Sequence, residues 1–262
     1  MNIKNKIFSF WKRKNFSYIK SDENKSGAAT YCFKNTSFLI KKKIFKIFFL
    51  QNCFRQFDSY VSKKNKIYIH QQIQIICKPI PINFLSIYKE SLFFLKNLYF
   101  KKDNWKSPLI GAKGIGYEVL YNYYEISQIT IFNFLGNKKL YSPILEITYG
   151  LDRINKIKNK NLIKEKFYSI INIFIVNSFK KILFLFVKSL KYLRLNNFFL
   201  SYFYFVKIAN KFNEVDYTHM VNNYNRVKIL FLIKVLSEKI IKKCYDFYYN
   251  KKNFKKKFLF KK

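Results

Sequence analysis

The sequence predicts an α+β protein in which a small antiparallel sheet packs against one or two helices, with long basic extensions at both termini. Three observations predict this class. Short segments show apolar residues with period two, other segments show helical spacing, and five of the six glycines lie between positions 111 and 150. Half of the 262 residues are apolar, which is enough to bury a core.

The first strand and helix follow from spacing and end signals. Alternation predicts a strand over 67–77, ended by Pro79, because proline removes a ladder donor. A helix is predicted to begin after Asn83, a good capping residue, and to end near Lys101-Lys102, whose charges suit a helix C-terminus.

The central and C-terminal parts predict more strands and two basic helices. Strands are predicted over 109–120, 129–135 and 144–149, with Gly136-Asn137 as the turn between the last two. The alternation of Ile171, Ile173 and Ile175 and the aromatic run 202–205 predict two further strands. Helices are predicted over 179–194 and 225–249, the first with its leucines, including Leu183, and Val187 against a sheet and its lysines outward.

These elements divide the chain into four predicted segments. Residues 1–55 form a basic, aromatic N-terminal extension and 56–105 a shortened first α+β domain. Residues 106–206 form a second α+β domain with the glycine-rich strand and a basic helix, and 207–262 form a helical extension with a basic tail.

The charge predicts a polyanionic partner. Lys and Arg number 51 against 14 Asp and Glu, a formal net charge of +37 that a compact chain tolerates best when phosphates neutralise it. Bias toward AT-rich codons is the alternative explanation for the many lysines. It does not explain the scarcity of acidic residues, because their codons GAA and GAT are also AT-rich.

Several classes are disfavoured by what the sequence lacks. Four scattered cysteines and two histidines predict neither a metal site nor a disulfide framework, and no catalytic or cofactor motif is present. The longest charge-free run, 167–179, is shorter than the roughly 18–20 residues of a spanning helix. The N-terminus lacks an import pattern, so the expectation is a protein made inside an organelle, a mitochondrion, with a plastid as the alternative.

Three motifs resemble the second domain of the universal ribosomal protein six of the large subunit. They are the strand Gly114-Ile-Gly-Tyr117, the turn Leu135-Gly136, and the basic helix from Lys180 to Leu190-Lys191-Tyr-Leu-Arg194. The resemblance covers about residues 84–200. The chain departs from the family after Gly136, where Asn137-Lys-Lys139 stands, and after Arg194, where the family's glycine loop is missing.

The resemblance implies a structural protein of an organellar ribosome and not an enzyme. Its expected partners are large-subunit rRNA, near the sarcin–ricin loop and factor-binding region, and neighbouring ribosomal proteins, with no small-molecule substrate, cofactor or transmembrane segment. The basic residues would contact phosphates, and the glycines would let RNA backbone or a neighbouring strand approach closely. The candidate RNA-binding residues are Lys106, Lys113, Gly114, Gly116, Lys180, Lys181, Lys188, Lys191 and Arg194.

Two alternatives remain open. An organellar RNA-processing or splicing factor would share the basic, aromatic composition. A peripheral subunit of an inner-membrane complex would share the abundance of Phe, Ile and Leu.

Overall fold

A computed structural model of the chain describes residues 2–21, 44–54, 69–107, 111–159, 173–216 and 221–259. The helices are α1 (Ile3–Arg13), α2 (Phe84–Ser91), α3 (Leu151–Asn159), α4 (Ile173–Arg194), α5 (Phe198–Asp216) and α6 (Asn223–Leu259). The strands are β1 (Ser17–Tyr18), β2 (Phe45–Phe54), β3 (Ile69–Lys78), β4 (Tyr99–Ser107), β5 (Ala112–Tyr121), β6 (Tyr124–Leu135) and β7 (Lys138–Gly150).

The strands form one sheet of seven in the order β1-β2-β3-β7-β6-β5-β4. Every neighbouring pair is antiparallel except β1 with β2. This sheet is larger than the small sheet expected from the sequence. It draws strands from the segments 1–55, 56–105 and 106–206, so the expected boundaries at 55 and 105 do not separate sheets.

One sheet face is covered by α1, α2 and α3, and we call it the helix-covered face. Its core combines β-strand residues such as Ile75, Ile147 and Tyr149 with residues from the three helices. Buried Trp11 of α1 donates through Nε1 to the Tyr149 hydroxyl at 3.2 Å, and the Ser91 hydroxyl lies 2.6 Å from the same oxygen. These bonds connect α1 and α2 to the middle of the sheet.

The opposite face is apolar at one end only, where it packs against the C-terminal helices. Phe49, Ile76 and Phe132 share a buried cluster with residues of α4, α5 and α6. Contacts at the β6–β7 turn show this packing directly: the Asn137 side-chain amide donates to Glu238 of α6 at 2.7 Å. Within the described ranges, no helix combines the length and apolar content needed to cross a bilayer.

The predicted helix after Asn83 is shorter than the sequence suggested. It ends at Ser91, and Asn83 makes no side-chain capping bond. Leu92, with φ −116° and ψ 35°, leaves helical geometry, and Lys101 and Lys102 belong to β4 instead.

Two short predicted strands are helical. Ile173 and Ile175 lie in α4, and the run 202–205 lies in α5; residue 171 falls outside the described ranges. Alternation over so few residues does not distinguish a strand from a buried helix. The aromatic run suits α5 because this helix is packed between α4 and α6, which favours apolar residues around its circumference.

Candidate active site

On the face that packs against the C-terminal helices, the other end of the sheet carries two cross-strand rows of mostly polar residues. In the first row, Gln74 of β3 pairs with Thr148 of β7, which pairs with Gln128 of β6. The second row places Glu146 of β7 beside Thr130 of β6. We call Gln74, Thr148, Gln128, Glu146 and Thr130, together with Gln72 beside Gly150, the polar patch.

Four polar members of the patch, Gln72, Gln74, Thr130 and Glu146, are buried, whereas Thr148 and Gln128 are partly exposed. Relative exposure is 0% for Gln74, 3% for Thr130 and 4% for Glu146. Thr148 donates to the Gln74 amide oxygen at 2.8 Å, while the Gln74 amide nitrogen has no hydrogen-bond partner among the described residues. Burying such a donor without a partner costs roughly 1–3 kcal/mol. A ligand oxygen that accepts from this nitrogen would recover that cost.

Acidic side chains extend the rows toward β4. Asp103 pairs in register with Gly116, the neighbour of Thr130, and accepts from the Gln128 amide at 2.9 Å. Glu146 lies in the same row, but the ladder places it three strand spacings, about 14 Å, from Asp103. Each end of this row therefore carries one carboxylate, and a carboxylate can bind an ammonium group.

One arginine reaches the patch from the helix that follows β7. A Cβ placed on Gly150 would lie 3.5 Å from Arg153 Cδ, so the arginine stem packs beside this glycine. Its Nη1 donates to the Glu125 carboxylate at 2.7 Å and to the Glu125 carbonyl at 3.1 Å. The guanidinium is thus held at the border of the patch, where it can contact an anionic group.

Asp152 fixes the start of α3 to β3. Its carboxylate accepts from the backbone N–H of Gln71 at 2.5 Å. Burial raises the pKa of Asp152 above its ordinary value of 3.8, and hydrogen bonds from the backbone N–H groups of Gln71 and of Asp152 itself oppose this shift.

We expect the free energy of unfolding of the Asp152→Asn variant, measured relative to that of the parent chain, to increase as the pH rises from about 4 to about 7. A carboxyl whose pKa is higher in the folded state favours folding when protonated and loses that contribution as the pH rises through the folded pKa. The asparagine oxygen still accepts from Gln71 and does not ionise. Urea unfolding of both proteins at several pH values measures the difference, and a difference that falls with rising pH would contradict this assignment.

The predicted RNA-binding residues lie in two separate places. Lys106 and Lys113 are exposed and face one another in the β4–β5 ladder. The other cationic residues are on α4, where Lys180, Lys181, Lys191 and Arg194 are exposed and Lys188 is half-buried; its ammonium lies 4.4 Å from the centre of the Phe184 ring. The RNA-binding role of these residues stays a prediction.

The two predicted glycines are explained by a neighbouring strand. A Cβ on Gly114 would lie 2.6 Å from the Ile131 carbonyl oxygen of β6, and a Cβ on Gly116 would overlap the Ile129 carbonyl of the same strand. Of the two partners considered in the sequence analysis, the adjacent strand is the one that approaches these positions.

Sequence reasoning did not find the polar patch. The signal is present in 69–78, where Gln72 and Gln74 alternate with the isoleucines of the predicted strand. It was also present in Glu146-Ile-Thr-Tyr-Gly-Leu-Asp-Arg153, which places an acid, a hydroxyl and a cation around a strand-to-helix junction.

The thiol next to the polar patch is that of Cys53, which donates to the Gln72 amide oxygen at 3.2 Å. Cys77 lies on the helix-covered face instead, where burial raises the pKa of its thiol to about 12, although Lys46 acts in the opposite direction. In the part of the chain that the structure describes, no group of three or more His, Cys, Asp or Glu side chains is placed to hold a metal ion.

Comparison with known proteins identifies the class of protein to which the chain belongs. The model of the family described as "Glycyl-tRNA synthetase alpha subunit" matches residues 1–182, which include the whole sheet and the polar patch. The chain therefore belongs to an aminoacyl-tRNA synthetase family. That family is the glycyl-tRNA synthetase alpha subunit.

Two curated relatives carry the name of this activity. The chain is 36% identical over 157 residues to a glycine--tRNA ligase of Chlamydia muridarum, covering 56% of this chain and 16% of the relative. It is 35% identical over 157 residues to a glycine--tRNA ligase of Chlamydia pneumoniae, covering 56% and 15%. A pyrrolysyl tRNA synthetase of Desulfitobacterium hafniense superimposes with a TM-score of 0.43 at 11% identity, covering 63% of this chain and 73% of that one. The chain thus spans under a fifth of the length of these curated relatives.

The family match overturns the ribosomal interpretation. The chain is not a member of the ribosomal protein six family, and the expected roles as a ribosomal constituent, an RNA-processing factor or an inner-membrane subunit are wrong. The expectations of a non-enzyme, of ribosomal partners and of no small-molecule substrate are wrong for the same reason. Physically, the glycine motif that carried the resemblance serves strand packing, which does not identify a ribosomal fold.

Proposed function

We propose that this chain is the glycine-activating part of a glycine--tRNA ligase, using ATP to join glycine to tRNA. The observation that carries the proposal is the family match over 1–182, which contains every strand of the sheet and the polar patch. The curated relatives carry the name of this activity, although the matched part is only 16% of the first of them.

The polar patch supplies the groups that glycine and ATP require. The buried carboxylate of Glu146 is suited to the ammonium group of glycine, and the partnerless amide nitrogen of Gln74 is suited to a carboxylate or phosphate oxygen. Arg153, held by Glu125 at the border, is suited to a phosphate. An amino-acid site beside a phosphate site is the arrangement needed for a glycine carboxylate to attack ATP.

The surplus of positive charge suits tRNA, the polyanion that this activity uses, as well as it suited rRNA. We assign Lys106 and Lys113, which face each other on the exposed end of the β4–β5 ladder, to tRNA phosphate contacts. The organellar location inferred from composition stays a prediction. Since the family is that of an alpha subunit, we also propose a companion polypeptide that supplies the remaining parts of the ligase.

The proposal is tested by glycine-dependent exchange of pyrophosphate into ATP, measured on the complex purified through this chain from its source. We expect Arg153→Lys to raise the KM for ATP about tenfold, because lysine keeps the charge and loses the planar donor pair. The KM for glycine should change much less.

Arg226→Lys is the matched control. Arg226 pairs with Asp216 at 2.7 Å on the C-terminal helices, away from the polar patch, so this variant should keep the parent KM values. Absence of any glycine-dependent exchange in the parent complex would refute the proposed function. Equal effects of the two substitutions would refute the role of Arg153.

A further inference from the structure

The turn between β5 and β6 places a tyrosine where the backbone favours glycine. Tyr121 pairs with Tyr124, so the loop consists of only two residues, Asn122 and Tyr123. Both have positive φ, 49° and 65°, as in the type I′ turn of a two-residue hairpin. A tyrosine in this left-handed region is strained, because its Cβ comes too close to the following carbonyl oxygen. We call Asn122, Tyr123 and Tyr124 the β5–β6 tip.

The rest of the described chain avoids this strain. Six non-glycine residues in the described ranges have positive φ; five of them are asparagine, and the sixth is Tyr123. The β6–β7 turn also has two residues, and its second position is Asn137. Asparagine tolerates the left-handed region and is abundant in this chain, so it would be the less strained residue at 123. The strain therefore points to a role for the tyrosine side chain.

The Tyr123 ring does not contribute to the core. It is 98% exposed, and the neighbouring Tyr124 is 60% exposed. Tyr99, which begins β4 beside this end of β5, is 64% exposed and pairs with Leu120. Three exposed rings thus lie at one corner of the sheet. Their apolar faces are available for stacking on a partner.

The β5–β6 tip borders the candidate active site. Glu125 directly follows the tip and accepts from Arg153 Nη1 at 2.7 Å, which holds the guanidinium assigned above to a phosphate. In the proposed reaction, the 3′ end of tRNA must reach the glycine that ATP has activated at the polar patch. The last nucleotides of tRNA are unpaired, and unpaired bases at RNA ends are bound by stacking on aromatic side chains.

The sheet edge beside the tip is basic. β4 is an edge strand, and exposed Lys101, Lys102 and Lys106 follow Tyr99 along it. Exposed rings next to cations form the kind of surface that binds unpaired nucleic acid, because rings stack on bases and cations contact phosphates. A protein interface would instead favour an apolar centre without lysines.

Other exposed apolar side chains lack this combination. Leu183 and Val187 of α4 are each 66% exposed, although the sequence predicted that they pack inward. Tyr224 and Val227 of α6 are 75% and 62% exposed. All four lie in helices without positive φ, and neither helix contributes a residue to the polar patch. Among the described residues, Tyr123 alone combines strain, full exposure and a place beside the candidate site.

We propose that Tyr123 binds tRNA by stacking on an unpaired base of its 3′ end. This inference rests on the proposed function, because that function brings the 3′ end to the polar patch. Stacking stabilises only the complex with tRNA, whereas the strain of the turn is present in the chain at all times. Replacement of Tyr123 should therefore change stability and tRNA use in opposite directions.

Two substitutions test the proposal on the complex purified through this chain. Tyr123→Asn should raise the KM for tRNA in glycine transfer about tenfold, because stacking on one base is lost. Tyr123→Phe keeps the ring and should keep the parent KM. Glycine-dependent pyrophosphate exchange, measured without tRNA, should be unchanged in both. In urea unfolding of the chain, the midpoint of Tyr123→Asn should rise, because asparagine relieves the strain.

The matched control is Tyr141→Asn. Tyr141 is 62% exposed and lies on β7 near the β6–β7 turn, at the other end of β6 from the tip. This variant should keep the parent KM for tRNA. A parent KM in Tyr123→Asn, an equal increase in Tyr141→Asn, or a tenfold increase in Tyr123→Phe would each overturn the proposal.

Photo-cross-linking separates this proposal from the proposed function. A photoreactive amino acid at position 123 of the full chain should cross-link to nucleotides of the tRNA 3′ end, and a cross-link to a polypeptide instead would overturn the stacking role. Active pyrophosphate exchange in the parent without the RNA cross-link would refute the stacking role alone. The RNA cross-link without any glycine-dependent exchange in the parent would refute the proposed function alone.

Discussion

Glu146→Gln is expected to raise the KM of the complex for glycine about 100-fold, with a much smaller change in the KM for ATP. Glu146 is 4% exposed and lies beside Thr130 in the second row of the polar patch. Glutamine preserves the size of the side chain and removes the charge that would pair with the glycine ammonium. Loss of one partner of a buried ion pair costs about 2–5 kcal/mol, which includes this 100-fold effect.

The matched control for this experiment is Glu90→Gln. Glu90 is paired with Lys14 at 2.9 Å and lies on α2 above the helix-covered face. Its side chain is 48% exposed, so removal of its charge should leave both KM values unchanged. Glycine-dependent pyrophosphate exchange over a range of glycine and ATP concentrations separates the two parameters. If the Glu146→Gln complex keeps the KM of the parent for glycine, Glu146 is not part of the proposed amino-acid site.

The sequence predicted local elements well where a short motif determines them. The turn Gly136-Asn137 is present, and both residues have positive φ, 55° and 58°, as a tight hairpin between β6 and β7 requires. Strands were expected over 129–135 and 144–149, and these ranges lie in β6 and β7. Alternation of apolar residues and turn chemistry are local signals, so no knowledge of distant residues was needed.

The candidate site depends on register between distant strands, which a single sequence does not display. Gln74 bonds to Thr148, 74 residues further along the chain, and Gln128 bonds to Asp103 on another strand. The polar members of β3 alternate with isoleucines in the way that solvent-facing residues do. Only the sheet shows that they are buried beside Glu146. The resemblance to a ribosomal protein failed for a related reason, since its glycines report local strand packing and not function.

Gly116→Ala is expected to lower the free energy of unfolding by about 3 kcal/mol, at the upper end of the usual cost of overpacking a core. The added Cβ would overlap the Ile129 carbonyl of β6, a backbone group that cannot move without disturbing the ladder. Gly116 pairs with Asp103 on one side and Thr130 on the other. Displacement of β5 would therefore disturb the row that contains Asp103, Thr130 and Glu146. Urea denaturation of the chain measures the loss of stability.

Gly150→Ala serves as the control because it makes the same substitution on the same sheet face. There the nearest atoms to a Cβ are the Ile126 carbonyl oxygen at 3.3 Å and Arg153 Cδ at 3.5 Å, a tight contact and an ordinary one. Its cost should stay below about 1 kcal/mol, since small adjustments relieve the contact. Equal stability of the two variants would mean that β5 and β6 do not approach as closely as this packing requires. A large loss of stability in Gly116→Ala alone would show that the close approach of β6 requires glycine at this position of β5.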